Sequence, residues 1–540
     1  MFYVTQNRGV GLIGQRLPMW RSRLGRVHVA RAPSPAAFDS AFVPAARRVR
    51  YHKNVPGYFV ENFGCRATQA DGAALERQFE ERGLARASTP VHASVVVLNT
   101  CTVTASADQD ARAAIRRVRR QNPEARIVVT GCYAQRAPEE IAALPGVSLV
   151  IGNSHKHQLA EIALPRISQA STTGTFIPIS ALGQRPGIND QRPVFVSDIF
   201  AHTELLAAPV FDAASERTRP ILKVQDGCDN RCYFCVIPYV RGQSRSLPLD
   251  RILSEVNGLV DSGYREVVIS GINLGRWGRD LALSSQLSAL SESGERESDE
   301  RPAANDQRLE SLIRTILAET TLEKLRISSV EPMDWSDELI SLVVSSTRIA
   351  KHAHVPLQSG SDTVLRRMHR KYRPWHYREK IEKIHAAMPT AAIGADVMVG
   401  FPGETDAEFE ATRQMIEELP FTYLHVFTYS ARPGTLAATM KHQVPVHEAR
   451  ERNRILREIA AEKKLKFMRS FVGHAVDAIT LNVTGNDEYG EYTEALTDNY
   501  LKLRVHGGHE ANQWMRVQVQ DVVYGALVGD TIADSCLVCI

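Results

Sequence analysis

Cys228, Cys232 and Cys235 form a CxxxCxxC run that begins four residues after the apolar stretch Ile221 to Val224. That stretch reads as a buried strand, so the run is a loop at a strand's C-terminal end that gathers three thiolates into one small volume. No fourth Cys or His stands near it. Structural zinc closes four protein ligands around the ion, whereas a four-iron cluster held by three cysteines keeps one iron open to a ligand that is not protein. The missing fourth ligand favours the cluster over zinc. Further apolar runs recur at Glu266 to Ile272, Leu322 to Val330, His352 to Leu357, Ile393 to Val399 and Tyr423 to Tyr429, mostly with amphipathic helical stretches between them. Six βα units predict an open barrel of parallel strands, in which chemistry sits at the C-terminal strand ends, where the cysteine run falls.

The chain of 540 residues is 44% hydrophobic, which suits roughly two to four domain cores. No stretch approaches the roughly twenty apolar residues that cross a bilayer. Eight cysteines are too few for a disulfide scaffold in so long a chain, and their spacing suits a reducing, cytoplasmic setting. A net charge of +4 is too mild to argue for nucleic acid, so any such binding has to come from local patches.

Residues 1–54 hold nine arginines and a single acid, Asp39, without an apolar period. They read as a disordered or mis-assigned N-terminal extension, with a transit-like leader as the alternative. Residues 55–160 alternate strand and helix, with buried strands at Val95 to Leu98 and Arg126 to Val129, and predict a small α/β domain. Its helix Asp108 to Arg120 carries Arg112, Arg116, Arg117, Arg119 and Arg120, either a solvated face or a phosphate-contacting one. Residues 161–215 read as a linker, 216–465 as the barrel domain with a mobile polar insertion at 281–308, and 466–533 as a small antiparallel β-barrel reached through the charged helix His447 to Ser470. The tail 534–540 contains Cys536 and Cys539, read as two surface thiols or as a metal or redox pair. Gly271, Gly275, Gly400 and Gly403 lie in turns after predicted strands, where backbone either approaches an adenosyl cofactor or simply turns.

Cys65, Cys101 and Cys132 are far apart, yet each follows a predicted strand or opens a βα turn, so a parallel sheet lines them along one edge. Spacing alone does not separate ligands from buried thiols. Their surroundings are Phe63-Gly64-Cys65-Arg66-Ala67-Thr68-Gln69, Leu98-Asn99-Thr100-Cys101-Thr102-Val103-Thr104 and Thr130-Gly131-Cys132-Tyr133-Ala134-Gln135. These resemble, in order, the three cysteine motifs of the methylthiotransferase family, and the CxxxCxxC run resembles the signature of the radical SAM enzymes. Further matches run from Cys235 to Gly242, His354 to Ser361, Asp396 to Thr405 and Tyr429 to Thr435, so the likeness covers residues 57 to 533. Thr68 departs from it, since the family usually places Asn there.

The resemblance implies an N-terminal α/β methylthiotransferase domain, an open (β/α)6 radical SAM barrel and a C-terminal TRAM-like RNA-binding barrel. It implies two [4Fe-4S] clusters facing one cavity, one on Cys65, Cys101 and Cys132 and one on Cys228, Cys232 and Cys235, and no catalytic residues beyond these ligands. S-adenosylmethionine is then used twice, once to methylate a sulfur at the first cluster and once as the source of a radical that takes hydrogen from adenine C2. The Cys-Thr-Val-Thr and Gly-Cys-Tyr-Ala-Gln forms resemble the branch that acts on N6-threonylcarbamoyladenosine at position 37 of tRNA; isopentenyladenosine and a ribosomal-protein aspartate, the substrates of other branches, stay as alternatives. The expected partners are the anticodon loop of tRNA, gripped by basic surface such as Lys502, Arg504 and the Arg112 to Arg120 helix, and a reductant such as flavodoxin or ferredoxin, with no membrane.

Overall fold

The structure of the protein, a computed structural model, describes residues 57–164, 193–202, 205, 219–282, 307–488 and 490–532. The N-terminal extension, most of the 281–308 insertion, and Cys536 and Cys539 lie outside the described residues.

Strands β1 (Gly57–Asn62), β2 (Ala85–Arg86), β3 (Val95–Thr100), β4 (Arg126–Gly131), β5 (Val147–Ile151) and β6 (Val194–Phe195) form one parallel sheet in the order β2-β1-β3-β4-β5-β6. Every residue of β3 is buried because both faces are covered. Val96 and Leu98 pack with Ile115 and Val118 of helix Ala105–Gln121, while Val95 and Val97 pack with Leu75 and Phe79 of helix Arg66–Glu80. The segment 161–215 is therefore not all linker: Val194 and Phe195 add the sixth strand, pairing with Val150 and Ile151. A two-residue strand has no readable period, so sequence patterning passes over it. The arginines of the second helix also differ from one uniform exposed face. Arg112 pairs with Glu140 and Arg117 with Glu61, and Arg116, Arg119 and Arg120 remain exposed.

The second domain holds β7 (Ile221–Asp226), β8 (Arg245–Ser246), β9 (Glu266–Gly271), β10 (Lys324–Ile327), β11 (His352–His354), β12 (Ala392–Val399) and β13 (Tyr423–Thr428). Parallel pairing runs β7-β9-β10 and β11-β12-β13, and the bridges Leu325 to Ile349 and Ser329 to His354 join the two sheets. Six parallel strands thus make an open barrel, with β8 antiparallel on the outer edge of β7. Alternation along the strands sorts the side chains. Leu325, Ile327, Ala353, Ile393, Ala395 and Val397 join the main core with the surrounding helices. The other face carries His352, His354, Tyr423 and His425, bonded or stacked on one another, and Arg326, which pairs with Glu266, so the barrel interior is polar. A barrel that only had to fold would fill this space with branched aliphatic side chains.

Helix Val446–Arg469 leads to a closed five-stranded barrel of β14 (Ala475–Asp487), β15 (Gly490–Thr497), β16 (Lys502–His506), β17 (Trp514–Val523) and β18 (Ala526–Thr531), in the order β14-β15-β16-β18-β17. All pairs are antiparallel except β16 with β18. Its core is Ala478, Leu503, Val505, Val517, Val519 and Leu527. The β15–β16 turn docks on the six-stranded barrel through Asn499, which donates to the Thr390 carbonyl at 2.9 Å, and through Arg326, which donates to the Asp498 carbonyl at 3.1 Å.

The polar interior has a pH signature. Burial first, and then the neighbouring His354, hold the His425 imidazole down at about 4, against about 6.5 in an unfolded chain. Folding favours the neutral ring, so this contribution is complete above about pH 6.5 and is lost as the pH falls through that value towards 4. Urea midpoints should drop across that window, and His425→Gln should shrink the drop; an unchanged slope would show that the ring is not held neutral.

Candidate active site

Cys65 caps helix Arg66–Glu80 just beyond β1, Cys101 follows β3, and Cys132 follows β4 and opens the turn Cys132–Arg136. The three strands are in register, Asn62 opposite Asn99 and Thr100 opposite Gly131, so the three turns share one sheet edge. The thiols crowd together: burial first, then Cys65 and Cys132, push the Cys101 thiol well up. Gly64 permits the crowding. Its φ is +104°, and a Cβ there would meet the Cys101 Cβ at 2.5 Å. Thr68, where the motif departs, lies with its Oγ1 3.5 Å from the Cys65 sulfur.

The second triad hangs on the loop after β7. Gly227, at φ +73°, starts it, because any Cβ would lie 1.8 Å from the Gln243 carbonyl oxygen. Cys228 N donates to the Gly242 carbonyl at 3.1 Å and Cys235 N to the Cys232 carbonyl at 3.0 Å. Tyr233 stacks on His369 at 5.0 Å and Phe234 meets Phe401 edge-on, so the two aromatics anchor the loop, and Phe234 lines the same cavity as the thiols. Burial pushes Cys228 up to about 11 and, with Cys232 and Cys228 beside it, raises Cys235 further.

Three N–H groups point at these sulfurs: Asn153 Nδ2 at Cys132 (3.6 Å), Asn273 Nδ2 at Cys228 (3.7 Å) and an Arg370 guanidinium nitrogen at Cys232 (3.4 Å). A neutral thiol is a weak acceptor, so buried donors aimed at it, in triads whose thiolates repel one another, fit sulfurs that bind a cationic centre. Among the described residues, no three His, Cys, Asp or Glu side chains close on one point tightly enough to hold a single metal ion, the geometry structural zinc requires.

Cys65 of the first triad and all three cysteines of the second open on cavities. One is lined by Cys65, Arg66, Ser270, Ser328, His352 and His354; the other by Cys228, Cys232, Cys235, Asn273, Gln358 and Arg370. Ile272 and Ser329 line both, so the cavities meet at the ends of β9 and β10. Of the four glycines in strand-end turns, Gly271 lines the first cavity. Gly275, Gly400 and Gly403 line neither: a Cβ on Gly275 would strike Asp334, one on Gly400 would strike Ala449, and Gly403 turns at φ +75° beside Arg367. Close packing and turn geometry account for these three.

A knot of buried charge holds the triads in place. Asp71 accepts from Lys156 and from Arg241 Nη2, each at 2.9 Å, and from Lys223; Asp226 accepts from Lys223 at 2.9 Å and, with both of its oxygens, from Arg241 Nη1. Asp71 lies on the helix capped by Cys65, Lys223 and Asp226 precede Cys228, and Arg241 follows Cys235. Burial alone would raise the Asp71 carboxyl, but Arg241, Lys156 and Lys223 hold it far below its usual range. A second link joins Arg432, after β13, to Asp108 at 2.8 Å and to the Thr102 carbonyl beside Cys101 at 3.3 Å.

Two sequence families match the chain: residues 57–152 match the Uncharacterized protein family UPF0004 and residues 222–416 the Radical SAM superfamily. The chain is 34% identical over 461 residues to the Threonylcarbamoyladenosine tRNA methylthiotransferase MtaB of Aquifex aeolicus, covering 85% of this chain and 99% of that protein. It is 35% identical to the MtaB of Bacillus subtilis, over 82% of this chain and 89% of that one. The chain belongs to the MtaB family of radical SAM methylthiotransferases. The tRNA-2-methylthio-N(6)-dimethylallyladenosine synthase of Novosphingobium aromaticivorans is 32% identical over 78% of this chain and 86% of that protein. Membership of the radical SAM superfamily brings S-adenosylmethionine and a [4Fe-4S] cluster with it.

Within this MtaB-family chain, sequence reasoning passed over Asp71, Lys156, Lys223, Asp226, Arg241 and Arg432. Signals for some of them existed. Lys223 and Asp226 interrupt an otherwise apolar strand, and Arg241 and Arg432 stand inside the matched stretches Cys235 to Gly242 and Tyr429 to Thr435. Lys223 and Arg241 reach Asp71, and Arg432 reaches Asp108, in a different domain, which no local pattern reveals. Removing one partner of a buried charge group leaves the others uncompensated, so Asp71→Ala should cost about 3–5 kcal/mol in urea unfolding. A loss below about 1 kcal/mol, typical of an exposed pair, would show that the knot does not carry the interface.

Proposed function

We propose that the protein transfers a methylthio group to C2 of the adenine of N6-threonylcarbamoyladenosine at position 37 of tRNA. The observation that carries this reading is the meeting of the two cysteine-lined cavities at Ile272 and Ser329, which lets one base face both triads. In this reading Cys65, Cys101 and Cys132 hold one [4Fe-4S] cluster, and Cys228, Cys232 and Cys235 hold a second. When bound, these clusters and S-adenosylmethionine supply the electron, the radical and the methylated sulfur that an adenine C–H bond requires, chemistry no side-chain base performs.

The chain's own residues bind, orient and exclude water. Arg370 bridges Glu331 and the Cys232 sulfur, fixing the wall of the second cavity, while Ile272, Ile237 and Val236 form an apolar patch against Cys65 and Cys132 that keeps solvent out. A nucleotide in an anticodon loop is already unpaired, so moving it into the interior costs less than the few kcal/mol of extracting a paired base. The C-terminal barrel serves as the RNA-binding module, with Lys502 exposed and Tyr524 78% exposed on its surface. Arg504 is better explained within that barrel, since it pairs with Asp487 at 3.2 Å and lies 4.6 Å over the Tyr492 ring. A cytoplasmic reductant such as flavodoxin or ferredoxin completes the electron supply. The names of the relatives favour the threonylcarbamoyl substrate over the dimethylallyl one, at higher identity and over more of the chain.

Deleting the gene should abolish 2-methylthio-N6-threonylcarbamoyladenosine in total tRNA nucleosides measured by mass spectrometry; its retention would sink the substrate assignment. Anaerobic reconstitution should give about eight irons per chain, falling to about four in Cys65→Ala, as expected for two four-iron clusters.

A further inference from the structure

We infer that Arg66, held by Tyr500 of the C-terminal barrel, binds the carboxylate of the amino-acid substituent on the substrate base and so selects it over bases with uncharged substituents. The inference rests on the substrate reading above, since a threonylcarbamoyl group ends in a free carboxylate and a dimethylallyl group does not. Arg66 directly follows Cys65 and lines the cavity beside it. Among the described residues, the other polar ones of that lining are Ser270, Ser328, Ser329, His352 and His354, none of them a carboxylate. Ser328 Oγ is buried without a hydrogen-bond partner among the described residues, a donor suited to a polar substituent. Burial, then Arg326 and His354, keep the His352 ring well below its usual value and therefore neutral, and among the described residues of this lining Arg66 is the permanently charged one. A guanidinium presents its N–H groups as a fork that matches a carboxylate in two parallel bonds. An apolar substituent in the same place would desolvate that charge and return nothing.

Tyr500 explains how the fork is aimed. It lies in the β15–β16 turn of a different domain, at φ +69°, a left-handed conformation unfavourable for an aromatic residue. Its hydroxyl accepts from Arg66 at 3.2 Å, and its ring lies 4.8 Å from His352 and 5.4 Å under Arg326. The docked turn imposes this backbone, with Asn499 bonded to the Thr390 carbonyl next to it. Tyr500 is thus a positioning residue: the barrel assigned to RNA also supplies one wall of the specificity pocket.

The test uses the anaerobically reconstituted full chain and two anticodon stem-loops, one bearing threonylcarbamoyladenosine and one its carboxamide analogue. Wild type should favour the acid by about 30-fold or more in kcat/KM, the scale of one truncated charge pair. Arg66→Gln should reduce that preference to within about threefold, mainly through KM, and equilibrium titration of the same RNAs should show the same loss. Arg66→Lys should keep part of the preference, because charge survives without the fork. Tyr500→Phe should fall between wild type and Arg66→Gln. Iron content and thermal midpoint equal to wild type separate these effects from misfolding. A preference unchanged in Arg66→Gln, or both RNAs slowed equally, overturns the inference. So does an equal weakening of S-adenosylmethionine binding, which would assign the guanidinium to the methionyl carboxylate. A wild-type preference for a dimethylallyladenosine stem-loop would instead overturn the substrate reading, and the inference with it.

Discussion

Five buried charges, Asp71, Asp226, Lys156, Lys223 and Arg241, join the first two domains at the root of both cysteine triads. Each is almost fully desolvated, and groups of this kind persist in a protein interior only when every member is satisfied. Three cations face two carboxylates, so one positive charge is left over beside the cysteines. Arg241 feels Asp226 and Asp71 first and then Cys132 and Cys65, and this surplus complements thiolates that burial alone would keep protonated. The interface is therefore also an electrostatic support for the cysteines of the first triad. A mispacked interface would leave charge uncompensated, which gives the arrangement of the two triads a specificity that apolar contact does not provide.

Around that knot, the polar interior of the six-stranded barrel divides the labour of the strands. Outward residues such as Leu325, Ile327, Ile393 and Val397 hold the barrel to its helices, so the inward positions are freed from packing duty. Those positions carry His352, His354, Tyr423, His425 and Arg326, of which His352 and His354 share the Tyr423 hydroxyl and Arg326 pairs with Glu266, and His352 and His354 line the cavity beside Cys65. The C-terminal barrel closes this interior from another side through its Thr497 to Leu501 turn, so all three domains contribute to one region.

Much of the fold was legible along the chain because its signals are local. The apolar runs from Ile221 to Tyr429 mark all six barrel strands to within a few residues, since a strand covered on its outer face by helices reads as a short apolar stretch. The strands before Cys101 and Cys132 were readable for the same reason. The two-residue strand Val194–Phe195 was not, and neither was the engagement of Arg112, Arg117 and Arg504 by Glu140, Glu61 and Asp487, since a charged side chain on a helix or strand looks alike whether it meets water or a partner. Gly275, Gly400 and Gly403 stand in turns that resemble cofactor-binding ones, yet their surroundings require glycine for packing and for positive φ.

By itself the sequence determined the chemistry available: two sets of three cysteines, each beside a strand end, and the parallel α/β frame that sets such ends along an edge. Ligand type and loop spacing are properties of neighbours in the chain, so they survive without coordinates. Only the tertiary structure decided that Cys65 and the second triad line adjoining cavities, that charges from separate domains neutralise one another beside the triads, and that Tyr500 reaches Arg66 across 434 positions of sequence. Such contacts depend on how domains dock, and docking is set by the complementarity of whole surfaces, which no run of consecutive residues encodes.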